Sequence, residues 1–239
     1  MMERFNRALL LIGDENLEKL KKASVAVFGV GGVGGYAVES LVRSGVSKIT
    51  VFDNDTVALS NINRQIIATE HTLGKDKVEA VKDRLLAINP NLNIVCNKVF
   101  YLPENAEKYP LNEYDYIIDA VDTVSAKIEI ITRAKKAGVP VISCMGTGGK
   151  TDPTALKVAD IEKTKGCPLA RVMRRELKSR GIKEVKIVYS EEIPVNFNKD
   201  LAEDVKNGSR KAPSSMIFVP ASAGILLARE VVFDIIKRS

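Results

Sequence analysis

The sequence predicts an α/β fold, a doubly wound and mostly parallel sheet with a C-terminal α+β extension, and three observations predict it. An apolar run, Val25-Ala-Val-Phe28, breaks into Gly29-x-Gly31-x-x-Gly34 and continues as the helix-like Gly35-Tyr-Ala-Val-Glu-Ser-Leu-Val-Arg43. Short apolar strands then alternate with amphipathic helix-length segments as far as Ser143, the pattern of parallel strands joined by right-handed crossovers. The second strand, Lys48-Ile-Thr-Val-Phe52, ends in Asp53, nineteen positions past Gly34. A carboxylate so placed can accept hydrogen bonds from a ribose hydroxyl.

Taken in order, residues 2–22 read as an arm and a short helix, with Leu9 to Ile12 apolar and Glu15 to Lys22 amphipathic. Strand 24–28, helix 33–44, strand 48–52, a polar loop 53–73, helix 75–88 and strand 92–99 come next. Asn89-Pro90 ends the helix at 88, because the residue before a proline is pushed out of helical geometry. Then come strand 115–119, helix 125–137 closed by Gly138, and strand 139–143. Beyond a glycine-rich loop, Gly146 to Lys150, lie strand 155–159, helix 168–180 and strand 185–189. Residues 191–213 are polar and read as a mobile loop. The apolar stretch 216–228, interrupted by Pro220 and Gly224 and closed by Arg229 and Glu230, reads as a buried strand and helix.

With 239 residues the chain suits one α/β core with an extension. We divide it into residues 1–150, a nucleotide-binding unit with its arm, and 151–239, a substrate-binding extension within the same globule. No segment approaches the roughly 20 apolar residues that span a bilayer, and the N-terminus lacks the pattern of a signal peptide, so a cytoplasmic protein with no membrane partner is expected. Three cysteines, Cys96, Cys144 and Cys167, make no disulfide framework, and reduced thiols are expected.

The strand that turns on glycines into a helix brings bare backbone and the positive helix end to a phosphate. Dinucleotide-binding dehydrogenases share that much, and the residues after Asp53 separate the two readings. Asp55, Ser60, Asn61, Arg64 and Gln65 crowd carboxylates, amides and a guanidinium into one loop, and Lys75 and Lys77 open the next helix. A triphosphate under cleavage develops charge that calls for such groups and a metal ion, whereas a pyrophosphate in a dinucleotide does not. With the first and fourth strands side by side, Asp122 faces the glycine turn, where magnesium takes one or two carboxylates plus phosphate oxygens. ATP with Mg2+ is therefore expected. The glycine turn (Gly29, Gly31, Gly32 and Gly34) would cradle it, Asp53 would hold the ribose, Asn61, Arg64 and Lys77 would meet the phosphates, and Asp122 would hold the metal. Gln65 and Asp55 rank lower; Asp55 also reads as a turn residue that caps its own loop.

Gly29 to Gly34, Asp53-x-Asp55, Ser60-Asn61-x-x-Arg64-Gln65, Lys77 and Asp119-Ala-Val-Asp122 resemble the adenylating enzymes of the ThiF, MoeB and HesA superfamily, relatives of the ubiquitin-activating enzymes. Further motifs resemble one branch of it, the tRNA threonylcarbamoyladenosine dehydratases. These are Asn6-Arg7, Gly146-Thr-Gly148-Gly149-Lys150-x-Asp152-Pro153, Val158-Ala-Asp160-Ile161, Pro168-Leu-Ala-Arg171 and Val188-Tyr-Ser190. The resemblance runs nearly end to end. It implies a Rossmann-like fold of the ubiquitin-activating type, a homodimer, and ATP-dependent dehydration of N6-threonylcarbamoyladenosine in tRNA through an acyl adenylate. It also implies a neighbouring cysteine desulfurase and sulfur acceptor as partners. Arg7 reads as a surface arginine, or, as the resemblance implies, as a catalytic group that crosses the dimer to the other subunit's nucleotide.

The net charge of +6 sits in one place: between Ile161 and Lys186 nine cations face three acids. On helix 168–180, Arg171, Arg174, Arg175 and Lys178 lie along one face at spacings of three and four. A solvated charged face is the ordinary reading, but such faces usually mix signs, and phosphates of tRNA are the natural partner for this one. Cys167 precedes Pro168 at a helix start, where a thiol can be activated. An adenylate closed by a group within its own substrate needs no enzyme thiol. The alternative activity is adenylation of the C-terminus of a ubiquitin-like or sulfur-carrier protein. Three isolated cysteines cannot build the paired-cysteine zinc site usual in sulfur-carrier relatives, which counts against it.

Overall fold

A computed structural model of the chain describes residues 3–195 and 214–237. β1 (Ser24–Phe28) takes the middle of a seven-stranded sheet, because Val25 to Phe28 are fully buried and need apolar cover on both faces. It pairs in parallel with β2 (Lys48–Phe52) on one side and β4 (Tyr116–Asp119) on the other, Ala26 standing opposite Thr50 and Ile117. β3 (Asn93–Asn97) lies outside β2, and β5 (Val141–Cys144) outside β4. β7 (Lys186–Ser190) then joins β5 in parallel, and β6 (Leu156–Asp160) closes the edge antiparallel to β7. The order β3-β2-β1-β4-β5-β7-β6 reverses its winding between β1 and β4, so both strands deliver their C-terminal ends to one crevice, as expected.

Strand alternation divides the core in two. Val25, Val27, Ile49, Val51 and Ile118 point to the face covered by α3 (Gly34–Arg43), α4 (Lys77–Ile88) and α7 (Phe218–Lys237). Ala26, Phe28, Phe52 and Ile117 point the other way, to α5 (Val124–Lys136) and α6 (Pro168–Ser179). Phe28 and Phe52, the last residues of β1 and β2, stack at 4.2 Å between ring centroids and close this second core just beneath the crevice.

Two elements depart from the sequence reading. The arm is two helices, α1 (Asn6–Ile12) and α2 (Asp14–Lys22), broken at Gly13, whose φ of 80° lies in the left-handed region. The stretch read as a strand and a helix is one helix, α7, which runs on past Arg229 and Glu230 to Lys237. Pro220 stands in its first turn, where a missing N–H removes no intrahelical bond. Glu230 and Asp234 continue it because they have a cation to meet: Lys186 Nζ lies 3.2 Å from Glu230 and 2.6 Å from Asp234. The loop expected at 191–213 falls largely on residues 196–213, outside the described residues. Among the described residues no helix is long and apolar enough to cross a membrane.

Candidate active site

The turn from β1 to α3 is built on two glycines that its backbone demands. Gly29 has a φ of 83°, its N–H donates to the Phe52 carbonyl at 2.7 Å, and a Cβ there would come within 2.9 Å of the Ala120 carbonyl oxygen. At Gly34 a Cβ would collide with the Gly29 carbonyl. The two glycines between them face a different environment. Among the described residues, a Cβ on Gly31 would find only the Gln65 side chain, at 3.7 Å, and one on Gly32 would touch Arg64 Cγ and Pro220 Cβ, each at 3.5 Å. The space over Gly31 is thus a cradle that a side chain would fill. Val33, ahead of α3, offers no side-chain oxygen to cap the helix, and Gly35 N–H is taken by the Gly31 carbonyl at 3.0 Å, so an anion at this helix start would meet the backbone of the glycine turn.

Asp53 ties the turn to the polar loop. Its Oδ2 accepts from Val30 N–H at 2.8 Å and its Oδ1 from Asp55 N–H at 2.9 Å. Burial raises its pKa above the usual carboxylate value, with the Lys77 charge and these two hydrogen bonds acting the other way. Lys77, at the start of α4, is 5% exposed; its Nζ lies 2.7 Å from Asp55 Oδ2 and its N–H donates to the Asp55 carbonyl at 3.0 Å. Asn61 is buried, its Oδ1 accepting from Ala58 N–H at 3.1 Å. Arg64 lays its stem along Gly32 and donates through Nη1 to Ser60 O at 2.8 Å and Asn63 Oδ1 at 3.0 Å. Gln65 is buried beside Gly31, and its Oε1 has no hydrogen-bond partner among the described residues. From the far side the chain leaving β4 presses Ala120 against Gly29, and Asp122, two residues on, is exposed there with Thr123 Oγ1 donating to it at 3.3 Å.

Five of the expected residues therefore meet round one turn: Asp53 on Val30, Gln65 on Gly31, Arg64 on Gly32, and Lys77 through Asp55. Asn61 and Asp122 bond locally, and it is Ala120 that abuts Gly29. Among the described residues no group of three or more His, Cys, Asp or Glu could cage a metal ion. A hard divalent cation that shares its ligands with phosphates asks for only one or two carboxylates, fewer than such a cage.

Beneath the turn lies a pair that sequence reasoning missed. Asp119 and Lys127 are fully buried with Nζ 3.0 Å from Oδ2, and Ser143 Oγ donates to the same oxygen at 2.6 Å. A signal was there: Lys127 sits in register with Ile130, Ile131 and Ala134, the buried stripe of α5.

Other expected residues lie elsewhere. Arg7 is exposed on α1, none of whose residues is buried. On α6, Arg171, Arg175 and Lys178 are exposed, but Arg174 turns inward and donates to Thr164 O and Oγ1, both at 2.7 Å. The outward basic face thus has three members, and the fourth holds the 161–164 turn to the helix. Cys167 is 4% exposed and packs in the second core. Burial pushes the Cys96 thiol up to about 11 and the Cys144 thiol up to about 12, so neither is a thiolate near neutrality.

The sequence profile of the ThiF family matches residues 5–234. The chain belongs to the ThiF family. Within the ThiF family it is similar to the tRNA threonylcarbamoyladenosine dehydratase of Bacillus subtilis, at 43% identity across 99% of this chain and 96% of that protein. The enzyme of the same name from Haemophilus influenzae is 39% identical across 74% of this chain and 67% of its own length. Among solved structures, E. coli tRNA N6-threonylcarbamoyladenosine dehydratase, TcdA, in complex with ATP superposes with a TM-score of 0.88 at 31% identity, over 98% of this chain and 94% of that one.

Proposed function

We propose that this ThiF-family protein is an ATP-dependent tRNA threonylcarbamoyladenosine dehydratase. One observation carries the reading: the likeness to the Bacillus subtilis enzyme spans 99% of the chain, and so includes β6, α6, β7 and α7 as well as the nucleotide crevice. An enzyme that shared only the adenylating half would match over that half alone.

The threonyl carboxylate of the modified adenosine attacks the α-phosphorus of ATP and pyrophosphate departs. The neighbouring ureido group then closes on the acyl carbon and expels AMP, so a poor leaving group has become a good one. Asp53 accepts from the ribose hydroxyls while holding Val30 and Asp55. Backbone amides of the glycine turn would meet phosphate oxygens in the cradle over Gly31, with Asn61 and Gln65 beside them. Arg64 and Lys77 now rest on Ser60, Asn63 and Asp55, partners that they exchange for phosphate as charge develops. The Asp122 carboxylate would hold magnesium, which supplies further charge neutralisation at the phosphates. No histidine or thiolate is needed, because the nucleophile in each step belongs to the substrate.

The extension supplies the substrate side. Arg171, Arg175 and Lys178 present three cations from one helix to tRNA phosphates. Leu10 and Leu11 are 85% and 79% exposed on α1, the arm that carries Arg7, and a homodimer would cover them and bring Arg7 to the partner's nucleotide. The reading is tested by mass spectrometry of nucleosides from modified tRNA incubated with the protein and ATP. Loss of one water from threonylcarbamoyladenosine is expected. An unchanged nucleoside, alongside pyrophosphate exchange that depends on a protein ending in diglycine, would favour the sulfur-carrier alternative.

A further inference from the structure

The Asp119–Lys127 pair takes no part in the chemistry above, and folding alone does not explain it. Desolvating two charges commonly outweighs their attraction, so a well-packed apolar pair would serve the core as well or better. Lys127 also lies near the N-terminal end of α5, where the helix dipole disfavours a cation. The contacts that the pair makes are more telling. Asp119 Oδ1 accepts from Val121 N–H at 3.3 Å, and Lys127 Nζ donates to the Val121 carbonyl at 3.0 Å. The peptide units on both sides of Val121 are gripped from below, and the second of them leads directly into Asp122. Ala120, in the same turn, is the residue whose carbonyl abuts Gly29. Ser143 at the end of β5 anchors Asp119 in turn, so the grip is referred to the sheet itself.

We infer that Lys127, acting through the Val121 carbonyl, is a positioning residue that fixes the Asp122 carboxylate relative to the glycine turn for a magnesium nucleotide. The inference rests on the nucleotide reading of the site. A bond from an ammonium group is stronger than one from a neutral donor. A fully buried lysine has one orientation to give it, whereas Asp122 itself is exposed and its carboxylate is met, among the described residues, only by the neighbouring Thr123 hydroxyl at 3.3 Å.

Lys127→Met alone would leave Asp119 charged and unpaired in the core, so the test uses Lys127→Met/Asp119→Asn. The new amide oxygen can still accept from Val121 N–H, and the new amide nitrogen can donate to Ser143 Oγ, reversing that bond, so the Val121 carbonyl is the group left without its donor. Melting temperature and calorimetric ATP affinity are measured with EDTA and with magnesium, and Asp122→Ala is added to both backgrounds. The double variant should melt near or above the parent and bind ATP without magnesium as the parent does. It should lose about tenfold or more of the tightening that magnesium brings, as removal of groups supporting a metal ligand does. Asp122→Ala should then change the response less than about twofold, because both changes act on one carboxylate. An intact magnesium response, with or without a lower melting temperature, would overturn the inference, as would an Asp122→Ala effect that multiplies in full. If Asp122→Ala in the parent leaves the response untouched, the reading of Asp122 falls too; if it abolishes the response that the double variant keeps, only the role of Lys127 falls.

Discussion

Gly29→Ala and Gly31→Ala stand two residues apart in one turn and should fail in opposite ways. At Gly29 an alanine must adopt a φ of 83° and press its Cβ to 2.9 Å from the Ala120 carbonyl oxygen. Left-handed backbone costs about 1–2 kcal/mol and a forced contact in a packed site about 1–3 more, so a loss of about 2–5 kcal/mol is expected. For a chain of this size that lowers melting by roughly 5 to 20 °C. Gly31 is not among the residues with positive φ, and the nearest atom to its Cβ would be Gln65 Nε2 at 3.7 Å. Its replacement should leave stability unchanged or raised by about 0.4–1 kcal/mol through a less flexible unfolded chain. The methyl would nonetheless occupy the phosphate cradle. Loss of one amide bond to a charged acceptor is about 1.5–3 kcal/mol, or about 10- to 100-fold in ATP affinity. Thermal melts without nucleotide and calorimetric titration with ATP read the two effects separately. Parent-like ATP affinity in Gly31→Ala would refute the cradle, and an unshifted melt in Gly29→Ala would refute the turn.

The same geometry leads to three further outcomes. Arg64→Ala should lower the turnover for AMP release by about 100- to 1000-fold, the loss typical for a donor aimed at developing charge, while melting stays unchanged because, among the described residues, its guanidinium bonds only Ser60 and Asn63 of its own loop; steady-state kinetics beside a melt checks it. Burial raises the Asp53 pKa, so the carboxylate should take up its proton at a higher pH than an ordinary aspartate as the solution is acidified, and ATP affinity should fall over that range. The native state holds that proton more tightly than the unfolded chain, so the Asp53 contribution to stability diminishes as pH rises through the same range; Asp53→Asn should abolish both pH steps. Cys167→Ala should release AMP at the parent rate, since the thiol is buried and no step uses it; a hydroxylamine-labile adduct lost in this variant would contradict that.

Much of this was legible in the sequence for a simple reason: the parts with strict backbone demands use residues that little else explains. Gly29 and Gly34 mark the turn because no side chain fits there, and Asp53 ends an apolar strand beside that turn, where it accepts from Val30 and Asp55 N–H. The alternation of strands and helices carried the parallel sheet, and the dinucleotide-binding pattern the adjacency of β1 and β4. Where packing decided, the letters misled. Pro220 and Gly224 looked like breaks, yet the first lies in an opening turn and the second is where α7 approaches the backbone of α3 at Val33 and Ala37. Arg174 kept the spacing of a surface cation but found Thr164 within reach. Lys127 resembled any helix lysine until its place in the stripe with Ile130 and Ile131 was matched by a buried acid on β4. The antiparallel edge formed by β6 has no local signature at all, because its direction is set by its pairing with β7.

The central claim, that the threonyl carboxylate attacks the α-phosphorus of ATP in the crevice over Gly31, is tested most directly by the fate of an oxygen atom. Modified tRNA carrying oxygen-18 in the threonyl carboxylate is incubated with the protein and ATP, and the released nucleotide is weighed. One labelled oxygen should leave in AMP, with pyrophosphate unlabelled. Label retained wholly in the nucleoside, or found in phosphate released beside ADP, would contradict an acyl adenylate.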